Sequence, residues 1–132
     1  MAKRKRPDIK QLKKKAIEIR KDILNMLYTA GSGHTGGSLS LVEILLTLYY
    51  YSLKHNSKKP LWKERDKLLL SKGHACPALY AVLADKGYFP REELGTLRKM
   101  DSRLQGHPQI GLPGLEISSG SQIGRASCRE RV

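Results

Sequence analysis

Gly31-Ser32-Gly33-His34-Thr35-Gly36-Gly37-Ser38-Leu39-Ser40 is the stretch from which the rest of the chain is read. Its glycines surround a single imidazole, and it lies between two runs with helical patterning. Glycine accepts positive φ and lets a backbone pass close to a ligand. A histidine on such a loop donates, accepts or titrates near neutral pH. Gly-His recurs at Gly73-His74 and at Gly106-His107. The remaining histidine, His55, sits in a polar turn and reads as a surface residue.

Upstream of this loop, Pro7 and Asp8 mark a helix start, because proline and a carboxylate both suit the first turn. Leu12, Ala16, Ile19, Ile23, Met26 and Leu27 follow helical spacing, ending near Thr29 with Gly31 as the stop. Downstream, Ser40 with Glu43 three residues later reads as a capping box. The helix it would open, residues 41–53, is apolar on most sides and is expected to be buried on more than one face. The free amides at its start suit an anion or a ligand oxygen.

Residues 68–71 form a short apolar run, expected as a buried strand of a parallel sheet. Gly73-His74 closes it, and residues 75–86 read as a helix with Pro77 in its first turn and Gly87 at its end. Strand, turn, helix is the geometry in which ligands bind at the carboxyl end of a sheet. A further short helix is expected over residues 91–99, with Glu92 and Glu93 at its positive end. Residues 100–114 carry glycines and prolines at short intervals and must be an irregular loop. Leu115-Glu116-Ile117 reads as the start of a strand, and Ser118 to Ser121 as a second phosphate-type turn.

The 132 residues suffice for one modest domain or part of a larger one. No apolar run approaches the roughly 20 residues needed to cross a bilayer. The basic N-terminus lacks the apolar core of a secretory signal, so the cytoplasm is the expected compartment. Cys76 and Cys128 make neither a disulfide framework nor a metal spacing, and Cys76 reads as a small packed residue. Zinc held by the histidines is disfavoured, because they lack close-set pairs. The net charge of +13 makes a nucleic-acid-binding protein a competing class. No aromatic residue is interleaved among the N-terminal lysines and arginines for base stacking, which favours a solvated helix face. A module using residues 41–53 as a partner surface is a third class.

Four stretches in this order carry a resemblance to a known family: Ser32 to Ser40, Leu70-Ser-Lys-Gly-His-Ala75, Gly106-His107-Pro108 and Gly114 to Ser121. With them the chain resembles the start of a transketolase, most closely the N-terminal subunit of the split, two-chain form. The resemblance implies an α/β fold: an incomplete thiamine-diphosphate-binding module over residues 9–121, with helices around a mainly parallel sheet. It leaves a basic arm over residues 1–8. It implies transfer of a two-carbon ketol unit from a ketose phosphate to an aldose phosphate, with the cofactor supplying the difficult chemistry. Other thiamine-diphosphate transferases, of the deoxyxylulose-phosphate synthase or dihydroxyacetone synthase type, are the alternatives within the class.

Carried over residue by residue, His34 and His107 resemble the catalytic histidines that orient the donor and help move its protons. His74 resembles the one that reaches the diphosphate of the cofactor. Gly120, with Ser121 beside it, resembles the backbone that approaches the cofactor. The family's divalent metal, Mg2+ or Ca2+, is expected to find its ligands in a later segment that this chain does not contain. The implied partners are sugar phosphates and a C-terminal subunit bearing the glutamate that activates the cofactor. The full-length assembly is expected to be a homodimer or heterotetramer, with no membrane or nucleic acid involved. From Gln122 to Val132 the family pattern stops, and the tail reads as a translated sequencing adapter joined to a gene fragment. The chain alone is therefore expected to bind cofactor poorly and to turn nothing over.

Overall fold

Asp8 opens the first helix, as its carboxylate and position predict, and the register set there decides which residues face inward. The computed structural model describes residues 6–119. In it the Asp8 side chain accepts the Gln11 amide at 3.1 Å and caps α1 (Ile9–Ala30). The inward stripe is Ala16, Ile19, Ile23, Met26 and Leu27. Gly31 ends the helix in the left-handed region at φ 67° and donates its amide to the Tyr28 carbonyl. Lys13, Lys14 and Lys21 face solvent. Lys15 instead reaches Asp85 and Glu18, each at 2.9 Å.

The centre of the fold is α4 (Cys76–Asp85), buried at every position from Cys76 to Ala84. A helix without a polar stripe needs neighbours on all sides. It receives α1, then α3 (Val42–Thr47), and on another flank the 3₁₀ stretch Arg91–Thr96. Leu97, Leu104 and Leu112 complete this core from the loops. Pro77 occupies the first turn, as expected. At the other end Asp85, with its side chain only 3% exposed, also accepts from the Tyr50 hydroxyl at 2.5 Å.

Several expectations are corrected. Among the described residues there is no strand, so this part of the α/β expectation is not met by the chain itself. Leu68 and Leu70 pack on the core while Leu69 is 59% exposed, an alternation that suits an extended segment. No backbone hydrogen bond joins residues 67–70 to another described segment. A parallel strand exists only as a member of a ladder, and apolar composition cannot supply one. The same holds for residues 115–117, where the Leu115 amide closes a turn on Leu112 at 3.1 Å.

The expected helix over residues 41–53 is α3 followed by one π-helical turn, Leu48–Ser52, in which the Leu53 amide bonds the Leu48 carbonyl at 2.8 Å. It is buried through Val42, Leu45, Leu46 and Tyr49, while Glu43, Ile44 and Thr47 face out. One face is buried, not several. The capping box does not form. A short helix, α2 (Thr35–Leu39), occupies the glycine-rich stretch, so Ser40 stands at its end and donates its hydroxyl to the Gly37 carbonyl at 3.0 Å. Glu43 pairs with Arg20 instead. The helix expected over residues 91–99 stops at Thr96 as a 3₁₀ stretch, because Arg98 takes positive φ.

His55 is not a surface residue. It is half-buried, with Nε2 at 2.7 Å from the Tyr49 carbonyl and Nδ1 at 2.9 Å from the Tyr88 hydroxyl. A carbonyl only accepts, so Nε2 carries hydrogen and Nδ1 accepts from Tyr88 in that tautomer. Its hydrophilic neighbours in sequence hid a role fixed by the packed core, in part by a residue far along the chain. Most of the basic arm, Gly120, Ser121 and the tail over 122–132 lie outside the described residues.

Candidate functional site

His34 ends up where it does because of a glycine. Gly33 sits at φ 144°, and a Cβ there would lie 2.3 Å from Leu27 Cδ2. Only a residue without a side chain lets the chain turn this closely off the buried end of α1. His34 then precedes α2, its carbonyl accepting the Ser38 amide at 3.1 Å, and its ring is exposed.

His74 arrives from the other direction, in the 3₁₀ turn Gly73–Ala75 that leads into α4. Its ring meets that of His34 edge to face, with centroids 4.9 Å apart and planes at 64°. Lys72 fixes this approach. Its Nζ donates to the Gly37 carbonyl and to Ser40 Oγ, both at 3.1 Å, strapping the end of α2 to the His74 turn.

His107 comes from the long irregular loop, which α4 pins. The Cys76 thiol donates to the carbonyls of Gln105 at 3.5 Å and Gly106 at 3.2 Å, and the Tyr80 hydroxyl donates to Gln105 at 2.9 Å. Cys76 is free and buried, and burial pushes its thiol up to about 12. It is a packed residue, as its sequence context suggests, and holds the loop as well.

The three imidazoles line one small cavity of about 30 Å³, together with Pro77 and Arg98. No carboxylate is in its lining. Burial, then the neighbouring His34, Lys72 and His107, lower the His74 imidazole below its ordinary value. This is an electropositive hollow suited to an anion. Cofactor pockets run to roughly 300–1,000 Å³, so a large ligand would lie across this hollow and be walled elsewhere. Two other cavities of about 360 Å³ contain no histidine. Among the described residues no group of three His, Cys, Asp or Glu is arranged to hold a metal.

The structure thus brings together His34, His74 and His107 and leaves His55 apart. Sequence reasoning missed Lys72 and Arg98. Lys72 had a legible signal, as a cation two residues before an imidazole in the stretch Leu70 to Ala75. Arg98 had none, since its place at the cavity depends on the backbone turn it makes.

Residues 12–127 match the family described as Transketolase, thiamine diphosphate binding domain, so the match runs past Ser121. The chain is 46% identical over 111 residues to the 6-deoxy-6-sulfo-D-fructose transketolase subunit SqwG of Clostridium sp. (strain MSTE9), covering 83% of this chain and 40% of that protein. It is 40% identical over 102 residues to one of the apulose-4-phosphate transketolase subunits of Phocaeicola vulgatus, covering 77% of this chain and 36% of the relative. Among solved structures, a transketolase from Campylobacter jejuni superposes with a TM-score of 0.79 at 39% identity, over 86% of this chain and 18% of that one. One from Leishmania mexicana gives 0.80 at 32%, over 83% and 17%. The chain therefore spans well under half the length of each of these proteins.

Proposed function

The chain belongs to the transketolase family through its thiamine diphosphate binding domain, and from that premise we propose that it is the front part of a transketolase subunit. Its activity in the complete enzyme is transfer of a two-carbon ketol unit between sugar phosphates. The observation that carries this reading is the convergence of His34, His74 and His107 on one hollow free of carboxylates.

The residues present fit an anionic cofactor. His74, held beside Lys72, offers its ring to a diphosphate, with electrostatic support that grows when the ring is protonated. His34 and His107 approach from separate segments and are free to donate to, or take protons from, the hydroxyl and carbonyl oxygens of a sugar. Thiamine diphosphate, when bound, supplies the nucleophilic carbon that takes up the two-carbon unit. We assign Gly120 and Ser121 to its approach. The accompanying Mg2+ or Ca2+ needs oxygen ligands that this hollow lacks. The names of the relatives, which call them subunits, support a partner chain, and we assign the complete assembly as a homodimer or heterotetramer. No helix among the described residues is long and apolar enough to cross a membrane, and we place the reaction in the cytoplasm.

Calorimetric titration of the chain with thiamine diphosphate and Mg2+ tests the reading. Weak but saturable binding that His74→Ala lowers at least several-fold further, and that the surface change Lys58→Ala leaves alone, is expected. Binding indifferent to His74→Ala overturns it.

A further inference from the structure

Arg98 stands at the edge of the three-histidine hollow on a backbone that ordinary side chains avoid. Its φ is 62°, a left-handed conformation that costs a residue with a Cβ roughly 1–2 kcal/mol. The Arg98 amide offsets part of this by donating to the Leu104 carbonyl at 2.8 Å. The guanidinium lies against Gly106: a Cβ on that glycine would stand 3.1 Å from Nε, 3.2 Å from Cζ and 3.3 Å from the terminal nitrogen. A side chain at 106 would press on the guanidinium just before His107.

The side chain is exposed, and its guanidinium has no carboxylate partner among the described residues. Arg20, Arg65, Arg91 and Arg103 each pair with a carboxylate. Among the described residues the Arg98 guanidinium makes no hydrogen bond and no ion pair, although it lines the same hollow as the imidazoles. A fork of N–H donors beside a hollow without carboxylates matches a phosphoryl group, which accepts two parallel hydrogen bonds.

We infer that Arg98 is an anion-binding residue of this site, donating from its guanidinium to phosphoryl oxygens of a ligand seated across His34, His74 and His107. The inference rests on the functional reading above. The phosphoryl group can belong to a diphosphate cofactor or to a sugar phosphate, and the shared chemistry is a doubly accepting oxygen pair.

The test uses Arg98→Gly, Arg98→Gln and Arg98→Lys in the full chain, each titrated with thiamine diphosphate and with fructose 6-phosphate. Arg98→Gly removes the guanidinium while relieving the left-handed backbone, so it is expected to melt no lower than the wild type. For one of the two ligands, Arg98→Gly and Arg98→Gln should each lose about ten-fold in affinity, the scale of one charge-assisted hydrogen bond. Arg98→Lys should lose less. The ligand affected identifies the source of the phosphoryl group. Wild-type binding that both neutral variants retain for both ligands rejects the role of Arg98 and leaves the cofactor reading intact. A wild type that binds neither ligand rejects a phosphoryl-binding role for this hollow, Arg98 included, and leaves the family membership standing.

Discussion

The Cys76 thiol donates to the Gly106 carbonyl at 3.2 Å, and this contact ties the residue before His107 to the start of the helix that follows His74. Two imidazoles more than thirty residues apart in sequence are tied through this buried sulfur together with the Tyr80 hydroxyl. Replacing Cys76 with Ala should remove this link and the weaker one to Gln105, and leave a small void. The expected loss is about 1–2 kcal/mol in urea unfolding. The thiol itself should resist alkylation at pH 8 in a Cys128→Ser background until the protein unfolds. Labelling at the rate of a free cysteine would contradict the burial that raises it.

His74 should titrate below 6.5 in the ligand-free chain, because burial and then its His34, Lys72 and His107 neighbours disfavour the imidazolium. The unfolded ring binds more protons than the folded one in the window below 6.5, so folding stability should fall as pH drops through it. Bound inorganic pyrophosphate should move the His74 titration upward, since an anion favours the charged ring. Ring-proton shifts followed by NMR across pH 5 to 8 check both directions. A ligand-free midpoint at or above 6.5 would count against the electropositive hollow.

Gly33→Ala places a methyl within 2.3 Å of Leu27 Cδ2 at a φ of 144°. Overpacking and backbone strain together should cost about 2–4 kcal/mol. Leu27→Ala on top of it should recover the steric part and none of the conformational part. A double-mutant cycle measured by urea unfolding separates the two, and additive losses would show that Leu27 is not the obstacle.

Asp85 collects Lys15 at 2.9 Å and Tyr50 at 2.5 Å, with Arg91 at 3.7 Å, on a side chain 3% exposed. Asp85→Asn turns one acceptor into a donor that faces cations. A loss on the order of 3 kcal/mol is expected, the scale of breaking a buried pair. Lys15→Met should cost less, because Lys15 is 28% exposed and Asp85 keeps its other partners. Equal losses would show that the Lys15 pair alone supports the junction.

What local chemistry encodes was legible. The cap at Asp8, the stripe from Ala16 to Leu27, the stop at Gly31 and the Pro77 entry into α4 each depend on residues within a turn or two of one another. The same is true of the Gly-His pairs, which marked the three histidines that line one hollow. Glycine content, however, disguised α2, since Thr35 to Leu39 is helical where it packs between α1 and the His74 turn. Propensity predicts the isolated peptide, and packing overrode it.

Local sequence sufficed for α1 and α4, for the three histidines that share a hollow and, through four ordered motifs, for the family. Tertiary structure alone decided that Leu68 to Leu70 lack a ladder partner among the described residues, that Ser40 serves Gly37 and Lys72 rather than a helix start, and that His55 is bonded at both nitrogens. It alone strapped Lys72 to Gly37 and Ser40 and brought Arg98 to the histidines. The physical reason is range: caps and hydrophobic stripes are set within one or two turns of chain. Hydrogen-bond partners and electrostatic neighbours are chosen by whatever the packed core carries alongside.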